Sequence, residues 1–359
     1  MALLRSHTEA FGLDLSDGVV RAVQFSSQRR GLAVTAFAEQ SLPTGIIVKG
    51  EPQEPKSLAE AIKSLLVKPR FGRFTSRRVV VSLPDSRTFS KIIEVPNTDG
   101  TQTQAAIQDE VSQYLPYSIE ELYLDWKPFG VFRGLDKIRV LINAVPKAIA
   151  DTYGTALEDA DLKPIAFIAE PSAIAYAMTN HADLAATARL IIDLNELRTT
   201  YIVVDHDAVT FSTTNHDISG NSVTNMIVTS LQITSTEAEE AKRLCGLDPT
   251  RGRAALPTIL QPFIEQLSCD IKRILEYYGS HSPTNTPIAE IVLTGTGADM
   301  RLLTNHLSEM LEQKVVIGNP WAKAGNIKLN GLASYKLIQA LPAVIGLGLI
   351  AQSSKISEV

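Results

Sequence analysis

The sequence predicts an α/β protein with two similar lobes, and three observations support this prediction. The chain has 359 residues, 45% of them apolar, which is enough for two ordinary domains that each bury a core. Apolar runs of strand length alternate with amphipathic runs of helix length, as they do in mixed α/β folds. One hairpin pattern occurs twice, about half a chain apart, which favours a duplicated lobe over a solenoid of short repeats.

The repeated hairpin consists of an apolar strand that ends near an aspartate, a short polar turn and a β-branched strand. In the first copy, residues 11–26, the aspartate is Asp14, and in the second copy, residues 190–205, it is Asp193. Chance similarity of two hairpins is the alternative when the pair is taken alone. We expect the two copies to lie at corresponding positions in the two lobes.

Further strands and helices follow each hairpin. Apolar and β-branched runs predict strands at 78–83, 89–95, 137–145, 164–169 and 291–293. Apolar residues at helical spacing predict helices at 102–115, 147–160, 171 onwards, 234–245, 260–278 and within 337–351. Two of these helices begin with predicted capping boxes, Thr101 with Gln104 and Thr234 with Glu237.

The composition argues against several classes of partner. The chain has 34 basic and 39 acidic residues, and this mild acidity gives no electrostatic reason to expect nucleic acid or an anionic membrane as the main partner. Cys245 and Cys269 lack the spacing of a metal or redox site and are expected to be reduced thiols. The longest apolar stretch, 337–351, contains Pro342 and is too short to span a bilayer. We therefore expect a cytoplasmic protein.

The two aspartates of the repeated hairpins form a candidate nucleotide site. A nucleoside triphosphate needs backbone N–H groups around its phosphates and an acidic group that holds Mg²⁺, often through water. Asp14 and Asp193 each precede a polar turn, and they suit this task if the two lobes face one another across a crevice. The alternative is that each is an ordinary turn aspartate.

Five segments, read in chain order, resemble the motifs of the actin-like ATPase superfamily. They are similar to the first phosphate motif, the first connecting motif, the second phosphate motif, the adenosine motif and the second connecting helix, at residues 12–21, 170–175, 193–200, 294–298 and 343–348. Within that superfamily the chain resembles the PilM family of type IV pilus assembly proteins. Its Tyr-Leu-Pro turn, its Glu-Ala-Glu-x-x-Lys helix and its Asn-Pro step, at 114–116, 237–242 and 319–320, support this.

The resemblance covers residues 11–352 and implies an actin-like (ribonuclease H-like) two-lobed fold with duplicated mixed-sheet domains. It also implies a division of the chain. The first lobe (1A) takes 1–88 and 148–186, and a small FtsA/PilM-type 1C subdomain takes 89–147. The second lobe (2A) takes 187–220 and 290–359, and subdomain 2B takes 221–289.

The resemblance further implies a set of site residues. Those expected to bind ATP are Asp14, Ser16, Asp17, Gly18, Arg21, Asp193, Asn195, Thr199, Thr200, Gly220, Glu239, Lys242, Gly295, Thr296 and Gly297. Asp14 and Asp193 are expected to hold Mg²⁺, and Glu170 is the candidate that positions a water for hydrolysis. The alternative for Glu170 is an acid that stabilises a helix N-terminus, and for Glu239 with Lys242 an ordinary i,i+3 pair.

Several glycines of the family's nucleotide loops are replaced in this chain. Ser16 stands in the first phosphate turn, Asn195 and Leu197 in the second, Ser219 before Gly220 and Thr296 in the adenosine loop. Leucine disfavours the left-handed conformation that such turns use, so we expect a remodelled second turn. Nucleotide binding with slow or no hydrolysis is therefore predicted.

On the resemblance, the chain is a nucleotide-binding scaffold at the inner face of the cytoplasmic membrane. It is expected to bind the cytoplasmic N-terminus of a PilN-like inner-membrane protein in an ATP-dependent way, with pilus motor or platform components as further partners. No nucleic-acid partner, no direct membrane insertion and no small-molecule kinase activity are expected. A pseudo-ATPase scaffold and an FtsA-like cell-division protein are the alternatives, and the short polar end at 353–359 disfavours the second. A related secretion or competence machine is an alternative to the pilus.

Overall fold

A computed structural model describes residues 10–28, 31–98, 100–129, 136–179, 187–206, 208–282, 284, 286–324 and 341–353. The described residues form two compact units. The first unit contains those within Met1–Met178, Pro320–Ile338 and Pro342–Val359, and the second those within Thr179–Asn319 and Gln339–Leu341.

The elements alternate between strands and helices, as predicted. In chain order the first unit contains β1 (Phe11–Leu15), β2 (Val19–Gln28), β3 (Gly31–Ser41), β4 (Ile47–Val48), β5 (Glu51–Pro52), α1 (Pro55–Val67), β6 (Phe71–Gly72), β7 (Arg78–Leu83), β8 (Phe89–Pro96), α2 (Gly100–Val111), β9 (Leu122–Pro128), β10 (Lys137–Pro146), α3 (Lys147–Asp159), β11 (Lys163–Ala169) and α4 (Glu170–Met178). The second unit contains β12 (Ala188–Leu194), β13 (Thr199–Asp205), β14 (Ala208–Asn215), α5 (Gly220–Leu231), α6 (Ser235–Leu244), α7 (Ala255–His281), β15 (Ile288–Thr294), α8 (Leu303–Leu311) and β16 (Val315–Ile317), after which α9 (Pro342–Gln352) belongs to the first unit.

Five strands of each unit's sheet share one topology, which confirms the internal repeat, and β6 is an additional strand at the edge of the first sheet. The first sheet has the order β11-β7-β1-β2-β3-β6, and the second has the order β14-β13-β12-β15-β16. In each, the first hairpin strand pairs antiparallel with the next strand and parallel with a later one. Asp14 lies opposite Arg21 and Asp193 opposite Thr200, each one pair before the turn. The duplicated hairpins therefore match residue by residue.

The core of the first unit has two faces on either side of its sheet. Alternate residues of β1, such as Leu13, pack against α1 and α3, because the side chains of a strand point to opposite faces. The other face of the sheet packs against α4 and α9, where Val80, Ala173 and Leu347 are buried together. All eleven residues of α9 except Gln352 are buried, which explains why the helix has no polar face.

Helix α9 differs from the predicted domain assignment. The family resemblance predicts residues 290–359 in the second lobe, whereas α9 packs with the first unit. An all-apolar helix is stable only where it is covered on every side, and the sheet face beside α4 supplies that cover. The remaining boundaries of the four-part division stay a prediction, and residues 337–340 and 354–359 lie outside the described residues.

A smaller layer of the first unit lies within the predicted insertion at 89–147. Its sheet has the order β8-β10-β9, and α2 covers one face through a core that includes Ile93, Ile107 and Ile142. Helix α2 ends at Val111 rather than at the predicted residue 115, and turn residues connect it to Pro116. The capping box predicted at Thr101 falls on a side chain outside the described ones, whereas that of Thr234 with Glu237 is confirmed.

The second unit packs its helices around one face of its sheet. The long helix α7 presents Leu260, Leu267 and Ile271 to this core, which is the predicted amphipathic stripe. Across the residues that the structure describes, no helix has both the length and the apolar character that crossing a bilayer requires.

Asp248 links two segments of the second unit and makes its stability sensitive to acid. Its carboxylate accepts bonds from the Thr250 hydroxyl at 2.6 Å and from Nε of Arg301 at 2.8 Å. The Thr250 hydroxyl, and then Arg301, lower the pKa of Asp248 from 3.8 to about 2. A pKa lowered by folding adds stability above the unfolded value, and this stability is lost as the pH falls through the folded value.

We therefore expect the melting temperature of the wild type to fall between pH values of about 4 and 2 more steeply than that of Asp248→Asn. Thermal unfolding followed by circular dichroism at a series of pH values measures this difference. Asp217→Asn, at an exposed aspartate of the same unit, is the control. A wild type and an Asp248→Asn variant with parallel pH profiles would contradict the prediction.

Candidate functional site

The first half of the predicted nucleotide site lies at the end of β1. Asp14 is 4% exposed, and its carboxylate accepts a bond from the Ser82 hydroxyl of β7 at 2.8 Å. The N–H and the hydroxyl of Ser16 both donate to the carbonyl of Val19, at 3.1 and 3.0 Å. The turn is therefore a closed hairpin turn in which the backbone N–H of Ser16 already has an acceptor.

The next residues of this turn are bonded within the first unit. The carboxylate of Asp17 accepts the N–H groups of Lys49 and Gly50 at 2.9 and 3.0 Å, which holds the β4–β5 hairpin against the turn. Arg21 forms an ion pair with Glu39 of β3 at 2.7 Å. Gly18 accepts the N–H of a residue that follows β3. Asp17, Gly18 and Arg21 therefore stabilise the fold of the first unit, and none of their hydrogen bonds involves a ligand.

The second half of the site lies in the corresponding turn of the second unit. Asp193 is 1% exposed, and the side-chain amide of Asn195 donates to its carboxylate at 2.5 Å. The N–H of Asn195 donates to the carbonyl of Arg198 at 3.0 Å, as Ser16 does to Val19 in the first unit. The duplicated turns therefore have the same backbone hydrogen bond.

The N-terminus of α5 is bonded to this second turn. The N–H groups of Gly220 and Asn221 donate to the carbonyls of Asn195 and Glu196 at 2.6 and 2.9 Å. The hydroxyl of Ser219 accepts the N–H of Ser222 and caps the helix. This cap gives a structural reason for a serine at a position where the family usually has glycine. The first N–H groups of a helix attract anions, and here the protein's own carbonyls occupy them.

Neither substituted residue of the second turn needs a left-handed backbone. Among the described residues with positive φ, Asn195 and Leu197 are both absent, and Leu197 is 49% exposed. The predicted conflict at Leu197 is therefore avoided by a turn that uses ordinary backbone angles. After the turn, the hydroxyl of Thr199 donates to the carbonyl of Ile218 at 2.7 Å, and that of Thr200 lies 3.3 Å from the hydroxyl of Thr214.

Lys242 and Glu239 connect α6 to α5. Lys242 is 6% exposed, and its ammonium donates to Glu239 at 2.7 Å, to the Thr224 hydroxyl at 3.1 Å and to the Gly220 carbonyl at 3.4 Å. The Thr224 hydroxyl also donates to Glu239. An ammonium has three protons, and these three acceptors satisfy them. The i,i+3 pair is thus part of a network that joins the two helices, with Lys242 buried and Glu239 half exposed.

The adenosine loop packs closely against the end of β12. Gly295 has φ +85°, and a Cβ built on it would lie 2.5 Å from the carbonyl oxygen of Leu194. A Cβ on Gly297 would lie 2.5 Å from the side chain of the same leucine. Thr296 lies between them and is half-buried. The packing of the chain on itself therefore requires glycine at Gly295 and leaves little room at Gly297.

Glu170 begins α4 and is buried. A carboxylate at the first turn of a helix interacts favourably with the helix dipole. This position agrees with the structural alternative predicted for Glu170, and its role in positioning a water stays a prediction.

The predicted residues therefore form two groups, one in each unit. In the first unit Asp14, Ser16, Asp17, Gly18 and Arg21 lie along the β1–β2 hairpin, with Glu170 at the start of α4. In the second unit the turn after Asp193 contacts both the adenosine loop and α5, and α5 contacts Lys242 and Glu239. The hydroxyl of Thr200 contacts β14 instead of these elements. The pairing of Asp14 with Asp193 across one cleft stays a prediction.

These groups fit a nucleotide in part. Buried carboxylates are oxygen ligands of the kind that Mg²⁺ prefers, and Asp14 supplies one in the first unit and Asp193 another in the second. The N–H groups of Ser16, Asn195 and Gly220, by contrast, are bonded to protein carbonyls. Among the residues described, no group of three or more His, Cys, Asp or Glu side chains could hold a metal ion.

A separate groove of about 730 Å³ lies within the first unit. Strand β9, at the edge of the three-stranded sheet, forms one side, and β11, at the edge of the six-stranded sheet, forms the other. Helix α3 lines it as well. Tyr123, Gly154 and Phe167 from these elements line the groove, together with Asn143 of β10. An extended segment that lay along β9 would meet the edge of a sheet.

The groove is lined by acidic side chains. Asp125, Asp151 and Glu158 contribute carboxylates, and the described lining residues include no Lys or Arg, although the ammonium of Lys147 lies 5.5 Å from the ring of Tyr123. The hydroxyl of Tyr123 donates to Asp151 at 2.9 Å, and this bond raises the pKa of Tyr123 above its usual value. The groove therefore suits an extended segment that carries positive charge.

Sequence reasoning did not locate this groove, although one signal was present. Along α3, Asp151, Gly154, Thr155 and Glu158 have the spacing of one helical face and all line the groove. The opposite face carries the apolar residues, such as Tyr153 and Leu157, that pack in the core. A polar helix face that includes a glycine usually indicates solvent-exposed surface. This pattern alone therefore does not predict a binding groove.

Comparison with known proteins gives the chain a family. The family model described as type IV pilus assembly protein PilM matches residues 12–349. The chain belongs to the PilM family. A solved structure described as a PilM–PilN type IV pilus biogenesis complex is similar to this PilM-family chain, with a TM-score of 0.80 and 24% identity over 97% of this chain and 99% of the other.

Other solved structures share the actin-like fold of PilM. MreB5 of Spiroplasma citri bound to AMPPNP matches with a TM-score of 0.57 and 12% identity over 97% of each chain. The ethanolamine utilization protein EutJ from Carboxydothermus hydrogenoformans matches with a TM-score of 0.51 and 14% identity over 94% of this chain and 88% of the other. The predicted actin-like α/β fold is thereby confirmed, and the family assignment favours PilM over the FtsA-like alternative.

Proposed function

We propose that this chain is a cytoplasmic scaffold of type IV pilus assembly, or of a related secretion or competence machine. Its groove in the first unit binds the extended N-terminal segment of a PilN-like inner-membrane protein. The observation that carries the proposal is the groove beside edge strand β9, in a chain similar to the PilM of a PilM–PilN complex. The partner holds the scaffold at the inner face of the membrane.

The chemistry of the groove supports a peptide ligand. An extended peptide that adds to an edge strand gains backbone hydrogen bonds, and flanking pockets select its side chains. Leu124, Val145 and Phe167 offer apolar contacts, while Asp151 and Glu158 attract a positively charged group such as an α-amino group or an arginine. The preferred ligand is therefore an extended apolar segment with at least one positive charge.

Gly154→Leu tests the groove by filling it. A Cβ on Gly154 would meet no atom within 4 Å, and Gly154 lines the groove, so a leucine side chain at this position would take up groove space. We expect the affinity for a PilN-type N-terminal peptide to fall by about tenfold or more, because the added side chain occupies the space for about two peptide contacts. Fluorescence anisotropy with a labelled peptide measures it.

The control for this test is Gly279→Leu, at a helical glycine of α7 that also has open space around it. Both variants replace a helical glycine and should be as stable as the wild type or slightly more so, by about 0.5–1 kcal/mol. An unchanged peptide affinity in Gly154→Leu would exclude this groove. No peptide binding by the wild type would exclude the proposed function itself.

Nucleotide dependence is the second part of the proposal. Bound ATP, with Asp14 and Asp193 as the proposed ligands of its Mg²⁺, would change the affinity for the peptide, with at most slow hydrolysis and no small-molecule kinase activity. The fold is that of MreB5, which has been solved with AMPPNP bound. Nucleotide would compete with the carbonyls of Asn195 and Glu196 for the N–H groups of α5.

The closed turns favour a second candidate, a pseudo-ATPase scaffold that binds its partner without nucleotide. Isothermal titration with ATP and Mg²⁺, followed by peptide titration with and without ATP, separates the two. ATP binding that Asp193→Asn abolishes and that changes peptide affinity supports nucleotide dependence. No heat of binding, with normal peptide affinity, supports the pseudo-ATPase.

A further inference from the structure

One segment of the first unit concentrates positive charge. Residues 68–78 contain five Lys or Arg residues and no Asp or Glu, in a chain where acidic residues outnumber basic ones. The segment links α1 to β7 and contains the short strand β6. We define the basic patch as the exposed residues Lys63, Lys68, Arg70, Arg73, Arg77 and Lys163.

The tertiary structure joins residues from three parts of the chain into this patch. Lys63 lies on α1, and Lys163 begins β11, where its N–H donates to the carbonyl of Arg77 at 2.8 Å. Lys63, Arg73 and Arg77 line a common cavity of about 620 Å³. The charges of the patch therefore form one surface.

Few acidic groups neutralise this surface. Arg77 pairs with Asp161 at 3.3 Å, and both side chains are more than 70% exposed. Arg70 lies 3.3 Å from Glu39, which is also bonded to Arg21. Exposed ion pairs of this kind contribute little and exchange readily with other anions. The patch thus keeps a net positive charge.

Apolar groups lie between the charges. Val67, the last residue of α1, is 77% exposed and lies on the cavity together with Leu66 and Pro69. Clustered basic side chains are attracted to anionic lipid headgroups, and an exposed apolar side chain among them enters the headgroup region.

The patch also adjoins the groove. Glu158 and Pro164 line the groove, and Ala160, Asp161 and Leu162, which lie between them in sequence, line the cavity of the patch. This argument rests on the proposed function: a partner held in the groove continues into the inner membrane, so the surface next to the groove comes close to the lipid headgroups.

We propose that the basic patch binds the anionic headgroups of the inner membrane directly and orients the scaffold beneath its membrane partner. Each Lys or Arg close to an anionic bilayer strengthens binding by about fivefold. A weak second contact of this kind raises the overall affinity, because the partner already holds the protein at the surface.

The apolar content favours a membrane over nucleic acid. Single-stranded nucleic acid is bound by exposed aromatic rings on which bases stack. Here Phe74 packs against Phe11 at 5.1 Å between ring centroids, and Phe71 is half-buried in β6, so neither aromatic residue is fully exposed. Val67 offers no stacking surface. Lipid headgroups need only the charges and the apolar side chain.

Co-sedimentation of the full chain with vesicles tests the proposal. The vesicles contain phosphatidylcholine alone or phosphatidylcholine with phosphatidylglycerol. We expect binding to the anionic vesicles only, weakened by salt. The triple variant Lys63→Gln, Lys68→Gln, Arg73→Gln should bind anionic vesicles about 100-fold more weakly, because each of the three lost charges weakens binding by about fivefold. Val67→Ser should weaken binding about fivefold, because its methyl groups no longer enter the interface.

The control variant is Arg243→Gln, Lys272→Gln, Arg273→Gln, which removes the same number of exposed positive charges from the second unit. It should bind anionic vesicles like the wild type. Circular dichroism melts confirm that both triple variants are folded. Peptide binding in the groove, measured without lipid, should be normal in both, so a failure of the patch and a failure of the groove are distinguishable.

Several outcomes would overturn the proposal. One is that the wild type binds neutral and anionic vesicles equally. Another is that the patch variant and the control variant lose vesicle binding to the same extent. A third is that the protein binds a DNA oligonucleotide or an acidic peptide but not vesicles. Displacement by free glycerol phosphate at the same phosphate concentration would also overturn it, since it would indicate a site for small anions rather than a membrane surface.

Discussion

Valine in place of Gly346 is expected to lower the free energy of unfolding of the first unit by about 3 kcal/mol or more, or to prevent its folding. A Cβ at this position would lie 1.9 Å from the carbonyl oxygen of Ala173 and 2.6 Å from its carbonyl carbon. Both atoms belong to the backbone of α4, so a side-chain rotation cannot relieve the contact. Helix α9 would have to move away from α4, which would separate the buried contacts of both helices with the sheet.

Urea unfolding followed by circular dichroism measures this loss. Gly154→Val makes the same substitution in α3 of the same unit, where a Cβ meets no atom within 4 Å. Its stability should stay within about 0.5 kcal/mol of the wild type, because only helix propensity changes. If Gly346→Val unfolded at the same urea concentration as Gly154→Val, the close packing of α9 on α4 would be wrong.

Alanine in place of Gly295 is expected to destabilise the second unit by about 2–4 kcal/mol, with or without nucleotide. The backbone angles of Gly295, φ 85° and ψ 173°, lie in a region that is open to glycine and strained for other residues. The added Cβ would also lie 2.5 Å from the carbonyl oxygen of Leu194 and 2.8 Å from the carboxylate of Asp193. The loop would therefore shift away from the end of β12.

Urea unfolding without nucleotide tests this prediction, with Gly279→Ala as the control in the same unit, where a Cβ meets open space. We expect Gly279→Ala to be stabilising by up to about 1 kcal/mol. A Gly295→Ala variant with wild-type stability and lost ATP binding would mean that this glycine makes room for the ligand. A loss of stability without nucleotide would mean that glycine is required at Gly295 by its close packing against the end of β12.

The distribution of charge changes an expectation drawn from composition. The net charge of −5 gave no reason to expect an anionic surface as the main partner. The fold nevertheless gathers basic residues on the first unit beside a groove lined by acidic ones. A chain-wide sum cannot detect such a separation, because electrostatic attraction at a surface depends on charges within about 10 Å.

The sequence by itself determined the duplicated hairpins, with Asp14 and Asp193 in matching register, and most of the helices and strands. These features depend on residues close in sequence, through apolar periodicity, turn residues and caps. Family resemblance added the actin-like fold.

Only the tertiary structure decided three other features. It packed α9 with the first unit, it bonded the second turn to α5, and it built the groove from β9, α3 and β11. Each depends on which distant residues meet, and that depends on how whole elements bury their apolar surface. Local sequence patterns state which face of an element is apolar, but not which other element covers it.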